Sequence, residues 1–474
     1  MVGRKREINE LLDLYEEKSA QLVAVYGRRR VGKTYLIDEV FKDKFAFKHS
    51  ALSPEGDEGE VLALQLDKFY SSLLKFGLGE GEKKPSNWFE AFDLLEKLLQ
   101  KKDDDSRQVV FIDELPWLDT PKSYFIKAFE SFWNSWGCAR ENLLLIACGS
   151  ANSWIQNNLI NDHGGLYGRV TYEIKLSPFT LGECEEFLKE KGLLLSRYEI
   201  ATAYMIFGGI PFYLGYLKKG LSLWENVDNI FFRKGAQLSL EFDRLFQSCF
   251  ENPDLVKKIV ILLSKKKIGF KRDEIAEKLR IGDGGHLTKA LNSLLASDYV
   301  SKYSPFGTKS KVPYYRLSDP FCAFFLRFKY EKDVSENFWT SHLLSQEVVA
   351  WKGLAFENVC LNHIPQIKRA LNVGGVGSKE SSWYFDSESG HGQVDLVIQR
   401  NDNVVNLCEI KFYQGDFVAD LDCFKKISSR IEAIRPYISK KACVYSTLIT
   451  TFGIHKNEYS SVFQNVVVLD DLFL

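Results

Sequence analysis

The segment 21–34 constrains the fold of this chain more than any other. An apolar run at 22–26 is followed by Gly27-Arg28-Arg29-Arg30-Val31-Gly32-Lys33-Thr34 and then by apolar residues at helical spacing. This is the pattern G-x-x-x-x-G-K-[ST] between a strand and a helix, where backbone N–H groups and the helix N-terminus face phosphates. The sequence therefore predicts a parallel α/β sheet that binds a nucleoside triphosphate at the end of its first strand.

The residue types in this loop suit contact with ATP. Gly27 and Gly32 permit backbone angles and close approaches that a Cβ atom would block. Lys33 is expected to contact the β- and γ-phosphates, and the Thr34 hydroxyl to bind Mg²⁺. The other predicted cofactor contacts are Arg28, Arg29, Arg30, Val31 and the adjoining Tyr35.

A second motif, QVVFIDE, occupies 108–114. Its four apolar residues predict a buried strand that carries Asp113 and Glu114 at its C-terminal end, where doubly wound sheets bind ligands. Asp113 is expected to help hold Mg²⁺, directly or through a water. Glu114 is expected to orient and polarise the attacking water, which argues for ATP hydrolysis rather than binding alone.

Two further segments supply candidates for sensing the γ-phosphate. The apolar run 143–148 leads to Ser150, and either Ser150 or Asn152 is placed to contact the γ-phosphate, with a plain turn as the alternative. In the glycine-rich segment 164–169, Arg169 precedes a predicted strand and is a candidate arginine finger.

These motifs resemble those of the archaeal-type ATPases, which are prokaryotic P-loop ATPases related to the AAA+ and STAND groups. The segments that carry the resemblance are YGRRRVGKT, VVFIDE, CGSANSW, GGLYGR and GGIPFYL. It implies an ASCE-type P-loop NTPase sheet with a small helical lid. It also implies that Arg169 is the family's motif arginine, acting in its own subunit or a neighbour's, and that Gly209 and Pro211 lie near the adenine.

Charge is unevenly distributed although the net charge is only −1. The segment 257–316 contains 14 Lys and Arg against five Asp and Glu, a clustering typical of nucleic-acid binding. Its pattern of helices and short strands predicts a winged helix-turn-helix, for which contact with another protein is the alternative to contact with double-stranded DNA. The predicted DNA contacts are His286, Lys289 and Asn292 on the recognition helix, and Lys309 and Lys311 on the wing.

The C-terminal part contains four charged residues in a suggestive order. Glu357 lies on a predicted helix, Asp395 on a strand, and Glu409 and Lys411 two residues apart on the next strand, where they share a face. Carboxylates in this arrangement suit a second Mg²⁺ or Mn²⁺, with Lys411 polarising the attacking water. The pattern resembles the PD-(D/E)XK nucleases, which implies a restriction-endonuclease-like α/β fold with metal ligands Glu357, Asp395 and Glu409. An ion-paired surface hairpin is the alternative.

Length and composition set the remaining expectations. A chain of 474 residues is too long for one ordinary core. Nine Cys without a C-x-x-C pair argue against a zinc module and fit a reducing cytoplasm. No signal-peptide h-region, membrane-spanning run or LSGGQ-like stretch occurs, so a transporter is not expected. The predicted divisions are an ATPase domain at 1–180, a helical lid at 181–250, a winged helix at 251–330, a linker at 331–346 and a nuclease-like domain at 347–474.

Together these features predict a Mg²⁺-dependent ATPase coupled to a winged helix and a nuclease-like module that act on DNA. The alternative is a nucleotide-switched regulator that binds DNA or protein and carries an inactive nuclease-like domain. A homo-oligomer is one expected state.

Overall fold

The computed structural model describes residues 2–54, 56–150, 152–161, 164–247, 250, 252–307, 312–387 and 390–474. The chain forms two compact units. The first comprises Met1–Pro178 together with Leu245–Pro253 and Asn292–Ser297, and the second comprises Phe179–Arg244, Asp254–Leu291 and Asp298–Leu474. Within the described ranges, no helix is long and apolar enough to cross a lipid bilayer.

A parallel sheet of five strands forms the centre of the first unit, as predicted. The strands are β1 Gln21–Tyr26, β2 Phe45–Ser50, β3 Gln108–Asp113, β4 Leu143–Gly149 and β5 Tyr172–Lys175. Their order is β2-β3-β4-β1-β5, and all neighbours are parallel. Every residue of β1, β3 and β4 is buried, which explains why these strands are apolar without alternation.

Helices cover this sheet and contribute an aromatic core. They are α1 Lys5–Glu16, α2 Lys33–Val40, α3 Glu58–Lys75, α4 Trp88–Lys101, α5 Phe125–Ser135 and α6 Asn152–Ile155. The Asn87 side chain caps α4 by accepting a hydrogen bond from the Glu90 N–H. Trp88 and Phe92 lie in this core, whereas Phe89 is 45% exposed.

The helices after β5 belong wholly or largely to the second unit. They are α7 Leu181–Glu190, α8 Arg197–Phe207, α9 Pro211–Leu214, α10 Leu223–Val227, α11 Glu241–Gln247, α12 Pro253–Leu263, α13 Arg272–Leu279, α14 Gly285–Ala296, α15 Pro320–Phe328, α16 Phe338–His342, α17 Gln346–Asn362, α18 Ile364–Ala370 and α19 Leu421–Ile434.

A small antiparallel sheet accompanies α12, α13 and α14. Its strands are β6 Phe270–Lys271, β7 Val300–Tyr303 and β8 Tyr314–Leu317, in the order β6-β8-β7. Gly269 precedes β6 with φ +75°, and a Cβ atom there would lie 1.9 Å from the Tyr315 carbonyl oxygen, so only glycine fits this close approach. The predicted order of helices and strands in this segment is confirmed.

A mixed sheet of five strands forms the C-terminal part of the second unit. Its strands are β9 Ser378–Ser387, β10 Gly390–Arg400, β11 Val404–Lys411, β12 Cys443–Thr450 and β13 Asn465–Val468. β9, β10 and β11 are antiparallel, whereas β11, β12 and β13 are parallel. β10 and β11 therefore form a hairpin, which places Asp395 on one strand beside Glu409 and Lys411 on the next, as predicted.

The segment 331–346, predicted from its polarity to be a linker, is packed into the second unit. It contains α16, and the Trp339 side chain on this helix is fully buried. The buried Asp228 carboxylate accepts hydrogen bonds from the Trp339 N–H at 2.8 Å and the Thr340 N–H at 3.0 Å. A carboxylate at a helix N-terminus satisfies N–H groups that have no partner within the helix, so one distant aspartate and one tryptophan order a polar segment.

Candidate functional site

The phosphate-binding motif forms the turn between β1 and α2. Lys33 is buried, and its ammonium donates hydrogen bonds to the Gly27 carbonyl at 2.9 Å and the Arg28 carbonyl at 3.2 Å. Gly27 lies against the residue that follows β5, because a Cβ atom there would be 2.2 Å from the Leu176 carbonyl oxygen. The lysine is therefore positioned across the loop whose N–H groups suit phosphate binding.

The other loop residues have varied surroundings. Arg28 and Val31 are buried, and Arg30 has φ +72°. Gly32 has φ +94° with open space where a Cβ atom would lie. Arg29 is half-buried, and Tyr35, on the first turn of α2, is 57% exposed.

The carboxyl ends of β1 and β3 bring the two predicted metal ligands together. The Thr34 hydroxyl donates a hydrogen bond of 2.8 Å to the Asp113 carboxylate. Asp113 is buried at the last position of β3. A hydroxyl oxygen beside a carboxylate oxygen is a donor set that suits Mg²⁺.

Glu114 follows Asp113 in an uncommon backbone conformation. Its φ is +49°, in the left-handed region that residues other than glycine seldom adopt. The Ser150 N–H and hydroxyl donate to its carboxylate at 3.0 Å and 2.9 Å. Backbone strain of this kind persists where the surrounding structure fixes it, and it clusters at functional sites.

Ser150 and Asn152, the two candidates for sensing the γ-phosphate, contact different parts of the site. Ser150 holds Glu114, whereas the buried Asn152 side-chain oxygen accepts a hydrogen bond of 2.8 Å from the Gly27 N–H. The Asn152 amide nitrogen also donates to the Ala296 carbonyl at 3.1 Å. Sensing of the γ-phosphate by either residue stays a prediction.

Three residues taken from the family resemblance lie outside this cluster of contacts. Arg169 is exposed in the segment that precedes β5. Gly209 lies between α8 and α9 with φ +66°, and Pro211 begins α9. The arginine-finger role and the adenine contacts stay predictions.

A second group of charged residues lies in the second unit, at β10, α17 and the turn before β6. The Lys267 ammonium is 2.5 Å from a Glu357 carboxylate oxygen and 3.2 Å from an Asp395 carboxylate oxygen. Asp395 also accepts a hydrogen bond of 3.3 Å from the Gln393 side chain and one of 3.4 Å from the Ile410 N–H. Glu357 and Asp395 thus meet as predicted, but around a lysine that the sequence did not single out.

Glu409 is more deeply buried than Glu357 and Asp395, and it contacts basic residues of β11 and α19. Its carboxylate is 2.9 Å from the Lys411 ammonium, 3.6 Å from the Lys426 ammonium and in direct contact with the buried Arg430 guanidinium. Glu409 and Lys411 therefore share a face, as their spacing predicts. Lys426 and Arg430, one turn apart on α19, were not predicted from the sequence, because the fold decides which face of that helix meets β11.

The expectation that Glu357, Asp395 and Glu409 form one metal-ligand set needs correction. The part of the chain that the structure describes contains no group of three or more His, Cys, Asp and Glu side chains arranged to hold a metal ion. The physical reason is that Arg430 and Lys411 neutralise Glu409, while Lys267 occupies the space between Glu357 and Asp395. Basic side chains therefore pair with all three carboxylates.

These contacts shift the pKa values of the charged groups. Burial, followed by the charge of Asp395, raises the pKa of Glu357 to about 7, and Lys267 opposes this rise. Burial would also raise the pKa of Glu409, but Lys411 and Arg430 outweigh it and the pKa lies below its ordinary value. Glu409 is therefore a buried, paired carboxylate, whereas Glu357 resists ionisation beside Asp395.

The predicted DNA-contacting residues on α14 occupy its outer face. His286, Lys289 and Asn292 are all exposed, and Leu287 and Leu291 are buried on the opposite side. Lys309 and Lys311 lie outside the described residues. Contact of these residues with DNA stays a prediction.

Comparisons with known proteins show what this chain is similar to. An uncharacterized protein of Methanocaldococcus jannaschii, MJECL04, is 24% identical over 425 residues, covering 87% of each chain. From the same organism, the uncharacterized ATP-binding protein MJ0423 is 46% identical over 43 residues, 9% of this chain and 73% of that protein. The solved structure of the Walker-type ATPase PABY2304 of Pyrococcus abyssi is 19% identical with a TM-score of 0.46, covering 69% of this chain and 96% of that one. Residues 1–217 match the model of an ATPase domain predominantly from Archaea, so this part of the chain is similar to that ATPase domain.

Proposed function

We propose that this protein hydrolyses ATP with Mg²⁺ and couples hydrolysis to a module that acts on DNA. The observation that carries the proposal is the meeting of three motifs at the carboxyl ends of β1, β3 and β4. Lys33 crosses the phosphate loop, Thr34 contacts Asp113, and Ser150 holds Glu114. Phosphoryl transfer needs groups in these positions for charge stabilisation and for orientation of water.

Each side chain has a role that follows from its contacts. Phosphate oxygens would replace the carbonyl partners of Lys33, so that its ammonium stabilises charge on the β- and γ-phosphates. Bound at Thr34 and Asp113, Mg²⁺ would neutralise phosphate charge. Glu114, fixed by Ser150, would orient the attacking water and accept its proton.

Metal removal tests this function directly. Phosphate release from ATP by the purified full chain is expected with Mg²⁺ and to fall to background with excess EDTA, because phosphate charge is then no longer neutralised. A continuous phosphate assay measures the rate, and restoring Mg²⁺ in excess of EDTA serves as the control. Turnover that persists unchanged in EDTA would contradict the proposal.

We propose that the segment 257–316 is a winged helix that binds DNA through the outer face of α14. Its excess of Lys and Arg and the exposure of His286, Lys289 and Asn292 support contact with a polyanion. The rival is a regulator whose winged helix binds another protein.

A second candidate function is metal-dependent cleavage of DNA by the C-terminal sheet. The observation that favours it is the placement of Glu357, Asp395, Glu409 and Lys411 on α17, β10 and β11, with Asp395 next to the Ile410 N–H. Carboxylates beside a lysine on neighbouring strands suit phosphodiester hydrolysis. Glu357 and Asp395 offer hard oxygen ligands that fit Mg²⁺ or Mn²⁺.

A plasmid assay separates these candidates. We expect nicking of supercoiled plasmid in Mg²⁺ or Mn²⁺, stimulated by ATP and lost in Asp395→Asn, because the substitution removes a metal-binding charge. Asp402→Asn is the matched control, since Asp402 is exposed at the turn between β10 and β11. ATP-dependent DNA binding without nicking in any variant would contradict the nuclease and favour the regulator.

A further inference from the structure

The turn that carries Lys267 is fixed on both sides. It joins α12 to β6, and the Gly269 N–H closes it by donating to the Lys266 carbonyl at 2.8 Å. The Tyr303 hydroxyl donates to the Ile268 carbonyl at 2.8 Å. Together with the close approach of Gly269 to β8, these contacts hold the Lys267 backbone in one place.

The same compact unit holds the turn against the C-terminal sheet. The Phe306 N–H donates to the Ser382 carbonyl at 2.9 Å, and the Phe306 ring packs edge-on against Trp383. The Ser382 hydroxyl in turn donates to the Asp395 carbonyl at 3.0 Å. The segment that carries Lys267 is therefore docked beside the strand that carries Asp395.

The Lys267 ammonium lies between the two carboxylates that are candidate metal ligands. It is within 3.2 Å of oxygens from both Glu357 and Asp395, whose side chains are only 13% and 11% exposed. Two nearby carboxylates without a positive partner would repel each other, and a cation between them removes the repulsion. A lysine and a metal ion cannot occupy this space together.

The surroundings distinguish Lys267 from its neighbours. Lys265 and Lys266 line the same cavity of about 630 Å³, but the contacts with the carboxylates are made by Lys267. The cavity is also lined by Arg316. The cavity is thus lined both by basic residues and by the two carboxylates that Lys267 contacts.

We propose that Lys267 masks the metal site of the nuclease-like sheet, so that Glu357 and Asp395 bind a divalent cation only when the turn before β6 withdraws. This inference rests on the proposed metal site and adds its regulation. It makes the winged-helix segment the element that keeps the site inactive. Binding of Mn²⁺, rather than cleavage of DNA, reports most directly whether a cation can reach Glu357 and Asp395.

Calorimetric titration of Mn²⁺ into the nucleotide-free full chain tests whether Lys267 masks the metal site. The relevant signal is the Mn²⁺ binding that Asp395→Asn abolishes. We expect Lys267→Ala and Lys267→Met to tighten this binding at least about 10-fold, because the metal no longer competes with a held ammonium. Lys267→Arg, which retains the charge, and Lys265→Ala, in the same cavity, are expected to bind Mn²⁺ like the wild type.

A second measurement keeps the test valid if a variant folds poorly. Without Lys267 the two carboxylates repel each other, so Mn²⁺ is expected to raise the melting temperature of Lys267→Met more than that of the wild type. Equal Asp395-dependent Mn²⁺ affinity in the wild type, Lys267→Ala and Lys267→Met would overturn the proposal that Lys267 masks the site. The proposed metal site itself would then still stand. Absence of Asp395-dependent binding in every variant would overturn both the mask and the proposed metal site.

Discussion

Replacing Glu114 with Gln is expected to lower ATP turnover by about 10²- to 10⁴-fold, the usual contribution of a positioned general base. Binding of ATP should stay close to that of the wild type, because the Glu114 carboxylate is held by Ser150. The amide keeps the shape of the side chain and removes the negative charge that polarises water. The loss should therefore appear in kcat, with little change in nucleotide affinity.

Lys33→Ala is expected to fail at ATP binding, the step that precedes hydrolysis. Lys33 is buried within the loop, where its ammonium would stabilise the charge of the proposed phosphates. Removing this positive charge should weaken both ATP binding and turnover, whereas Glu114→Gln should lower turnover and leave ATP binding nearly unchanged. The pair of variants thus distinguishes a binding residue from a residue that acts on water.

Equilibrium binding of a fluorescent ATP analogue and a phosphate-release assay, performed on the same preparations, measure both effects. Glu39→Gln is the matched control, since Glu39 is an exposed carboxylate on α2. If Glu114→Gln hydrolysed ATP at the wild-type rate, Glu114 would not be the general base. Equal losses of affinity in Glu114→Gln and Lys33→Ala would likewise contradict the assignment.

Gly27→Ala is expected to destabilise the first unit by about 2–4 kcal/mol and to abolish ATP binding. The added Cβ atom would lie 2.2 Å from the Leu176 carbonyl oxygen, which is backbone and cannot rotate away. Either β5 or the loop must shift, and overpacking of this kind costs stability in addition to backbone strain. The shift would also displace the Gly27 carbonyl that holds Lys33.

Gly32→Ala is the control that separates backbone strain from the close approach of Gly27 to Leu176. Gly32 also has positive φ, but a Cβ atom there meets nothing within 4 Å, so only backbone strain of about 1 kcal/mol is expected. Thermal unfolding of the nucleotide-free full chain compares the two variants. A melting temperature for Gly27→Ala as high as that for Gly32→Ala would show that β5 yields to the added methyl group.

The sequence predicted the central features of the ATPase domain because each depends on local pattern. The strands β1, β3 and β4 are continuous apolar runs, and Lys33, Thr34, Asp113 and Glu114 adjoin them directly. Parallel strands place their carboxyl ends at one edge of a sheet. Strand identity was therefore enough to predict that these side chains meet.

Local pattern was a poorer guide where distant residues decide the environment. The polarity of 331–346 predicted a linker, yet Asp228 caps α16 and Trp339 is buried. Three carboxylates predicted one metal site, yet Arg430 and Lys267 divide them into two ion-paired groups. Neither basic residue belongs to a motif, so sequence spacing carried no signal for it.

By itself, the sequence determined the parallel sheet, the phosphate loop and the order of elements from α12 to β8, since apolar periodicity and glycine placement fix these over a few residues. The tertiary structure alone decided that Ser150 holds Glu114, that Asn152 contacts Gly27 and that Lys267 sits between Glu357 and Asp395. Such pairs join residues far apart in the chain, and their geometry exists only after the elements have packed.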